Sequence, residues 1–247
     1  MASKSKRISS TDKLQMAGLY RRMEILAYGN GADFFGVADL EPVREFMVNQ
    51  GGEMVDGYPR GVSIGMRISD TIVDTHNPDE KHGLSLYWWH VYTIITPMLD
   101  VLAQRMQQVL QAEGYHTLHV PGSMPYNRKT LKSLFPHKLA AHLCGTGWIG
   151  KSCLLITPQF GPRVRFVTVL TDAPLPPDKP LDKKCGKCTE CIDACPVRAL
   201  KGIEFNPEEP VETRFDTWAC EKYRSEHPCG LCVGTCPFGR PAGRREK

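Results

Sequence analysis

A chain of 247 residues, 41% hydrophobic and 23% charged, has the composition of a globular protein with room for one ordinary domain and a small appendage, not of a disordered chain. No apolar run approaches the roughly 20 residues needed to cross a bilayer, so no membrane association is expected. A net charge of +4, from 31 Lys and Arg against 27 Asp and Glu, neither demands nor excludes an anionic partner.

Residues 1–10 are polar and basic with no apolar stretch behind them, which reads as a disordered tail and not as an export signal. Arg21-Arg22 is likewise followed by residues too polar for a twin-arginine signal. Thr11 and Asp12 offer N-cap side chains for a helix to about residue 29, with Leu14, Leu19, Met23, Leu26 and Ala27 near helical spacing. Residues 34–40 read as a strand, Pro42 opens a short helix to about 48, and the β-branched run 62–68 is a central strand. Residues 71–83 read as a loop. From 84 to about 113, Val91, Ile94, Ile95, Met98, Leu99, Leu102, Met106 and Leu110 form one apolar helix face, in which Pro97 should force a kink or a break. The aromatic run 87–92 reads as core packing ahead of the lining of a flat macrocycle.

A strand follows at 115–120, a loop from 121, a helix over about 130–143, and two strands at 153–157 and 164–171. This alternation predicts an α/β domain over 11–174. Four prolines in 173–184 make 175–184 a stiff linker to a cysteine module at 185–240, and 241–247 is a basic, solvated tail.

The module carries the most specific pattern. Cys185, Cys188, Cys191 and Cys195, followed by Pro196, have the spacing C-x2-C-x2-C-x3-C-P, in which three thiolates converge on one 4Fe-4S cluster and the fourth points to another. Cys229, Cys232 and Cys236, with Pro237, make a partial second copy preceded by Cys220. Two clusters need eight thiolates, and these are eight. A zinc ribbon would separate two C-x2-C pairs by a dozen or more residues, and eight thiolates in use favour a reducing cytoplasm over a disulfide framework. Crossed ligation assigns Cys185, Cys188, Cys191 and Cys236 to one cluster, and Cys195, Cys229, Cys232 and Cys220 to the other. Cys220 lies outside the tight motif and reads either as a ligand or as a buried free thiol. Cys144 and Cys153 are left over as packing residues. So small a module should depend on metal for much of its stability.

The stretch 138–151 holds Gly145, Gly147 and Gly150, which allow close backbone approach to a ligand. Gly145 to Ser152 matches the bare string of a phosphate loop, but helix precedes it and strand follows, the reverse of the context such a loop requires.

The run 145–156, then Phe160-Gly161, Leu170-Thr171-Asp172 and the cysteine motif, resembles the epoxyqueuosine reductase family and, more remotely, the core of reductive dehalogenases. The segments 31–38 and 62–66 and the block 220–237 fit the same pattern, over about 15–238 in all. The resemblance implies an α/β (α+β) cobalamin-binding, nitroreductase-like domain followed by a small bacterial-ferredoxin-like two-cluster module. It implies base-off cobalamin against Gly145, Thr146, Gly147, Trp148, Ile149, Gly150 and Lys151. It further implies an external electron donor of ferredoxin or flavodoxin type, and a small-molecule or modified-nucleoside substrate. A histidine-ligated corrinoid is not expected, because Asp74-x-His76-x-x-Asp79 ends in Asp where such a motif has Gly.

In two respects the sequence departs from the family. It stops at 247 without the family's helical repeats, and the family's aspartate proton donor has its place near Leu131, with no carboxylate between Glu113 and Asp172. Reduction of an epoxide in tRNA is therefore a doubtful expectation. The remaining candidate proton donors are Tyr126, His137 and Lys138, each weighed against an ordinary surface or core role. The sequence thus reads as a cytoplasmic, cobalamin-dependent iron-sulfur oxidoreductase. Its alternative is an electron-transfer or corrinoid-activating protein without a substrate of its own.

Overall fold

A computed structural model describes residues 10–124 and 126–240. The expected tails, apart from Ser10, lie outside these residues. Helix α1 (Ser10–Gly29) includes Thr11 and Asp12 within its bounds, not at its cap. It leads through a turn into strand β1 (Phe34–Asp39), a 3-10 turn at Glu41–Val43 and helix α2 (Arg44–Gly51). Strand β2 (Arg60–Arg67) follows. Part of the segment expected as a loop is a short helix, α3 (Asp70–Asp74), opened by Asp70 in its first turn.

The long helix at 84–113 is continuous in direction but changes its winding. It begins as α4 (Leu86–Trp88), runs as a π-helix over Trp89–Ile95 and resumes as α5 (Thr96–Ala112). Pro97 explains this, because it brings no N–H and its ring would meet a carbonyl one turn back. The wider turn lets the Thr96 N–H reach Val91 O, five residues away, and the Thr96 hydroxyl donates to the same oxygen at 2.7 Å. Of the aromatic side chains in the run 87–92 only Tyr87 is buried in the core, at 9% exposure, while Trp89 stands 46% exposed.

Strand β3 (Thr117–Val120) leads to a loop and to helix α6, which covers only His137–Leu143. The helix expected from 130 does not form. Leu131 has a left-handed φ of 54°, and Pro136 supplies no donor and disfavours helical backbone at the residue before it. The glycine-rich stretch contains a strand that periodicity did not reveal, β4 (Trp148–Ile149), paired antiparallel with β5 (Leu155–Ile156). Cys153, expected as strand, instead takes the turn at φ 57°. Strand β6 (Val164–Thr171) completes the body.

The four long strands stand in the order β1-β2-β6-β3, and every pair is antiparallel, so the body is α+β in connectivity despite its alternating elements. One face packs Val37, Val62, Ile64, Val167 and Val169 on Leu19, Met23 and Ala27 of α1 and on Leu99, Leu102, Ala103 and Met106 of α5. The other face carries Ala38, Leu170 and Val120 against Ala140 of α6. The sheet is thus sandwiched between helices, with α6 delivering the glycine-rich stretch to one side.

The stretch 175–184 is a strap as much as a linker. Leu175 is 1% exposed in the sheet core. The edge strand β1 is covered by Asp178, whose N–H reaches Val37 O at 2.8 Å and whose carboxylate accepts from Val37 N at 2.8 Å and from the Tyr20 hydroxyl at 3.1 Å. Beyond it come α7 (Glu190–Asp193), α8 (Thr217–Glu226), which is capped by Asp216 through Ala219 N at 2.9 Å, and α9 (Leu231–Gly234). This segment shares its core with the body. Val233 packs with Ile68, Val73, Tyr87 and Val91, and Cys236 packs with Trp148 and Ile156.

Candidate metal centre

The backbone of 185–196 turns tightly enough to gather its cysteines. Cys188 N bonds Cys185 O, Cys195 N bonds Ile192 O, and α7 between them carries Cys191. Two groups of thiols emerge. Burial pushes Cys236 up to about 12, and its thiol neighbours that add to this are Cys185, Cys191 and Cys188. Burial likewise pushes Cys191 up to about 11, with Cys185 and Cys188 beside it. In the other group burial raises Cys220 to about 11, assisted by Cys229 and Cys195. Cys232 is raised by burial and then by Cys229, Cys220, Cys191 and Cys195, so it also faces the first group through Cys191. Thiols this high are protonated at neutral pH, and their ligation would release protons and replace like-charge repulsion by bonding to iron.

Among the described residues no three His, Cys, Asp or Glu converge as a single bound ion requires. A zinc site would need that, with all ligands about 2.0–2.3 Å from one ion. A cubane does not, because its four thiolates sit on separate iron corners. Ala199 N already donates to Cys195 Sγ at 3.3 Å, a contact that suits a cluster ligand.

Gly147, Trp148, Ile149, Gly150 and Lys151 are all buried, so the surface expected to face a cofactor is an interior one. The glycines serve this packing. A Cβ at Gly145 would stand 2.2 Å from Lys179 O, one at Gly147 2.3 Å from Ile156 O, and one at Gly150 3.0 Å from Cys185 Sγ. Gly145 and Thr146 remain half-buried. Lys151 donates to Gly186 O at 2.6 Å and Cys188 O at 3.3 Å, within the loop that carries the first two cysteines. Trp148 Nε1 is buried without an acceptor among the described residues, and its ring meets Phe238 edge-on at 4.9 Å.

The three candidate proton donors are not brought together. His137 turns to β6 and the preceding loop, with Nδ1 3.1 Å from Thr168 Oγ1 and Nε2 3.3 Å from Pro121 O. Lys138 turns the opposite way and donates to Cys153 O at 2.8 Å, and burial lowers its pKa. Tyr126 reaches across to α8 and donates to Glu221 Oε1. That hydrogen bond is the main reason its pKa rises, so its phenol holds its proton at neutral pH. Burial works to raise Glu221, but hydrogen bonds from Tyr126 and from Arg224, at 2.9 Å, outweigh it and keep the carboxylate charged. Sequence reading missed Glu221, although it follows Cys220 directly and pairs with Arg224 at i,i+3 spacing. It places a carboxylate beside the loop that has none of its own.

Burial depresses His137 to about 4, below the ordinary 6.5. An unfolded histidine takes up a proton as pH falls below 6.5 while the folded one resists until about 4, so His137 favours folding above 6.5 and loses this contribution on acidification. With the ring partly reached by solvent, the loss is on the order of 2 kcal/mol between these limits. Denaturant unfolding at pH 7 and pH 4.5 should show it in the parent protein and not in His137→Gln.

A groove of about 460 Å³ lies elsewhere, on the outer side of α5, lined by Ile94, Pro97, Met98 and Val101 among others, and none of the candidate residues borders it.

Comparison with known proteins agrees with this geometry. Residues 184–240 match the family model of a 4Fe-4S dicluster domain. An epoxyqueuosine reductase of Bacillus cereus is 39% identical over 101 residues, which are 38% of this chain and 27% of that protein. A tetrachloroethene reductive dehalogenase of Sulfurospirillum multivorans is 35% identical over 108 residues, 38% of this chain and 22% of that protein, so the sequence likeness reaches both groups. Among solved structures, that of a reductive dehalogenase, described as suggesting a mechanism for B12-dependent dehalogenation, matches with a TM-score of 0.69 at 22% identity, over 98% of this chain and 34% of that one. An epoxyqueuosine reductase solved with an epoxyqueuosine-modified tRNA stem loop matches with a TM-score of 0.59 at 16% identity, over 91% of this chain and 66% of that one. The fold is therefore shared with both groups of reductases. The chain's match to the Bacillus cereus protein spans about a quarter of that protein's length. Among the described residues no helix is long and apolar enough to cross a membrane.

Proposed function

We propose that this chain is a cobalamin-dependent iron-sulfur reductase of the epoxyqueuosine-reductase type, working in the cytoplasm with single electrons from a ferredoxin- or flavodoxin-type donor. The observation that carries the reading is the match of residues 184–240 to a 4Fe-4S dicluster domain. The charge neighbours of Cys236, Cys191 and Cys220 are consistent with one group of Cys185, Cys188, Cys191 and Cys236 and another of Cys195, Cys220, Cys229 and Cys232, adjoining at Cys191 and Cys232. The residues of the first group fit a 4Fe-4S cluster, since the missing Cβ of Gly150 leaves room for Cys185 Sγ and Trp148, whose N–H is orphaned among the described residues, packs with Cys185 and Cys236. Residues 147–151 do not fit a corrinoid laid along them, because they are covered by the chain's own atoms. The corrinoid rests on the likeness to the B12-dependent dehalogenase, and the nitroreductase-like character of the sheet body is part of the same reading.

The clusters, when bound, carry single electrons, and the corrinoid would supply a strongly reducing centre. Two-electron reduction of an electrophilic carbon in a small molecule or modified nucleoside also consumes a proton. Our candidate for holding it is Tyr126, supported by its phenol staying protonated and by Glu221, held by Arg224, as the group that would take part in its resupply. His137 and Lys138 serve the loop and the turn at Cys153.

Anaerobically reconstituted protein should bind about eight irons and titrate with one cobalamin. Tyr126→Phe should keep both while lowering turnover about 10²-fold or more with an artificial reductant. Iron below four per chain, or no corrinoid binding, overturns the reading. Unchanged turnover of Tyr126→Phe removes the proton role alone. Running the assay with epoxyqueuosine in tRNA and with a haloalkene separates the two substrate classes.

A further inference from the structure

We propose that Trp148 and Lys151 are the residues that set the reduction potential of the cluster held by Cys185, Cys188, Cys191 and Cys236, the indole by hydrogen bonding to its sulfur and the ammonium by its charge. The inference rests on the two-cluster reading above and adds to it a role for the hairpin of β4 and β5.

Trp148 is 2% exposed, and its Nε1 is a buried donor with no partner among the described residues. An indole nitrogen only donates, and leaving it unpaired in the interior costs about 1–3 kcal/mol, so buried N–H groups almost always have an acceptor. Around it lie Ile156, Leu154, Cys236 and Cys185, together with the Phe238 ring. The sulfurs of the two cysteines and of the cluster they would hold are the acceptors this set offers. The hairpin is pressed onto the cysteine loop because residue 150 has no Cβ to strike Cys185 Sγ.

Lys151 extends the same contact with a full charge. It is 8% exposed, and its ammonium is held by Gly186 O and Cys188 O, between the first two cysteines of the motif. Glu204 Oε1 forms an ion pair with it at 3.9 Å and accepts from Gly186 N, so the ammonium, held on the two loop carbonyls, shares its field at the cysteine loop with that carboxylate. Reduction adds an electron to an already anionic cluster. Both a donated N–H and a buried cation stabilise that added charge and raise the potential. The second group of thiols has Ala199 N on Cys195 and the Glu221–Arg224 pair near Cys220, whereas Trp148 packs with Cys185 and Cys236 and Lys151 donates to the loop of Cys185 and Cys188.

Redox titration of the full, reconstituted chain, followed by electron-spin resonance, tests this in Trp148→Phe, Lys151→Gln and Lys151→Arg. Trp148→Phe and Lys151→Gln should each move the midpoint of one and the same cluster to more negative values, leave the other in place, and keep the parent's iron content. Lys151→Arg should restore most of the shift. Protein reconstituted in D2O should show a deuteron coupling to one cluster that Trp148→Phe lacks. Unmoved potentials in Trp148→Phe and Lys151→Gln at full iron content overturn the proposal, and so does an equal movement of both clusters. If Trp148→Phe loses iron, the Lys151 pair decides alone, an unmoved Lys151→Gln being the overturning result. Low iron in the parent itself would instead strike at the two-cluster reading.

Discussion

Replacing Arg163 by methionine is expected to destabilise the protein by about 3 kcal/mol and to loosen the first cluster before the second. The guanidinium is 0% exposed and meets Asp74 Oδ1 at 2.7 Å and Asp70 Oδ1 at 3.4 Å, so α3 closes over it. Its Nη2 also lies 3.4 Å from Gly234 O, and a Cβ on Gly239 would strike its side chain. The arginine thus ties the body to the two turns that flank Cys236. Breaking one half of a buried ion pair typically costs about 3–5 kcal/mol, because the other half keeps its charge without its partner. Here Asp70 and Asp74 are 21% and 16% exposed, and water can reach them, which places the loss at the lower end. Denaturant unfolding of the reconstituted protein measures the loss. Arg163→Met/Asp74→Asn should recover part of it, since one of the two carboxylates that faced the guanidinium is then neutral, and a double variant no more stable than the single one would refute the ion-pair account. The iron signal should fall first in the cluster that uses Cys236, because Gly234 and Gly239 fix the turn around it.

The parts of this architecture that were legible in the sequence are those written in short spacings. The cysteine motif fixes its own tight turns over a dozen residues, and residues 184–240 match a 4Fe-4S dicluster domain as that motif predicts. Strands β2 and β6 announced themselves by β-branched runs, and the face of α5 by its period. What escaped depended on residues far apart in the chain. The order β1-β2-β6-β3 with antiparallel pairing is set by which strand edges meet, and alternation of elements is silent on that. Glu221 reaches Tyr126 across 95 residues, so a loop without carboxylates acquires one from α8. Glycines at 145, 147 and 150 signalled a close approach correctly but not what approaches. The answer is Lys179 O at Gly145, Ile156 O at Gly147, and the Ile156 side chain followed by Cys185 Sγ at Gly150, atoms of the chain itself. At 130–136 local propensity was overruled by two residues, Leu131 in a left-handed turn and Pro136 at the start of α6.

Cys236→Ala is expected to halve the iron, from about eight to about four per chain, and to free the end of the described chain while sparing the second cluster. The reasoning follows the crossing. In the proposed assignment Cys236 is the one ligand that the first group draws from beyond residue 195, so its removal leaves three thiols on one loop and no link through the first cluster to the turn after Cys236. Its own surroundings are weak substitutes. The thiol is 8% exposed against Trp148 and Ile156, and the turn after it is held by Gly239 N on Cys236 O at 3.3 Å and by Arg240, whose Nη2 meets Glu190 at 3.1 Å near the surface. An exposed pair of that kind contributes up to about 1 kcal/mol, far less than metal ligation supplies to a module of this size. Limited proteolysis should therefore cut the variant after α9 at protease levels that leave the parent intact. Cys220→Ala should give the mirror result, losing the other cluster, whereas Cys144→Ala and Cys153→Ala should keep all the iron, because neither thiol neighbours either group. Retention of about eight irons by Cys236→Ala would break the crossed assignment. Loss of all iron from that variant, with Cys144→Ala intact, would show instead that the two clusters assemble as one unit, with Cys191 and Cys232, the thiols through which the two groups adjoin, as the hinge of that dependence.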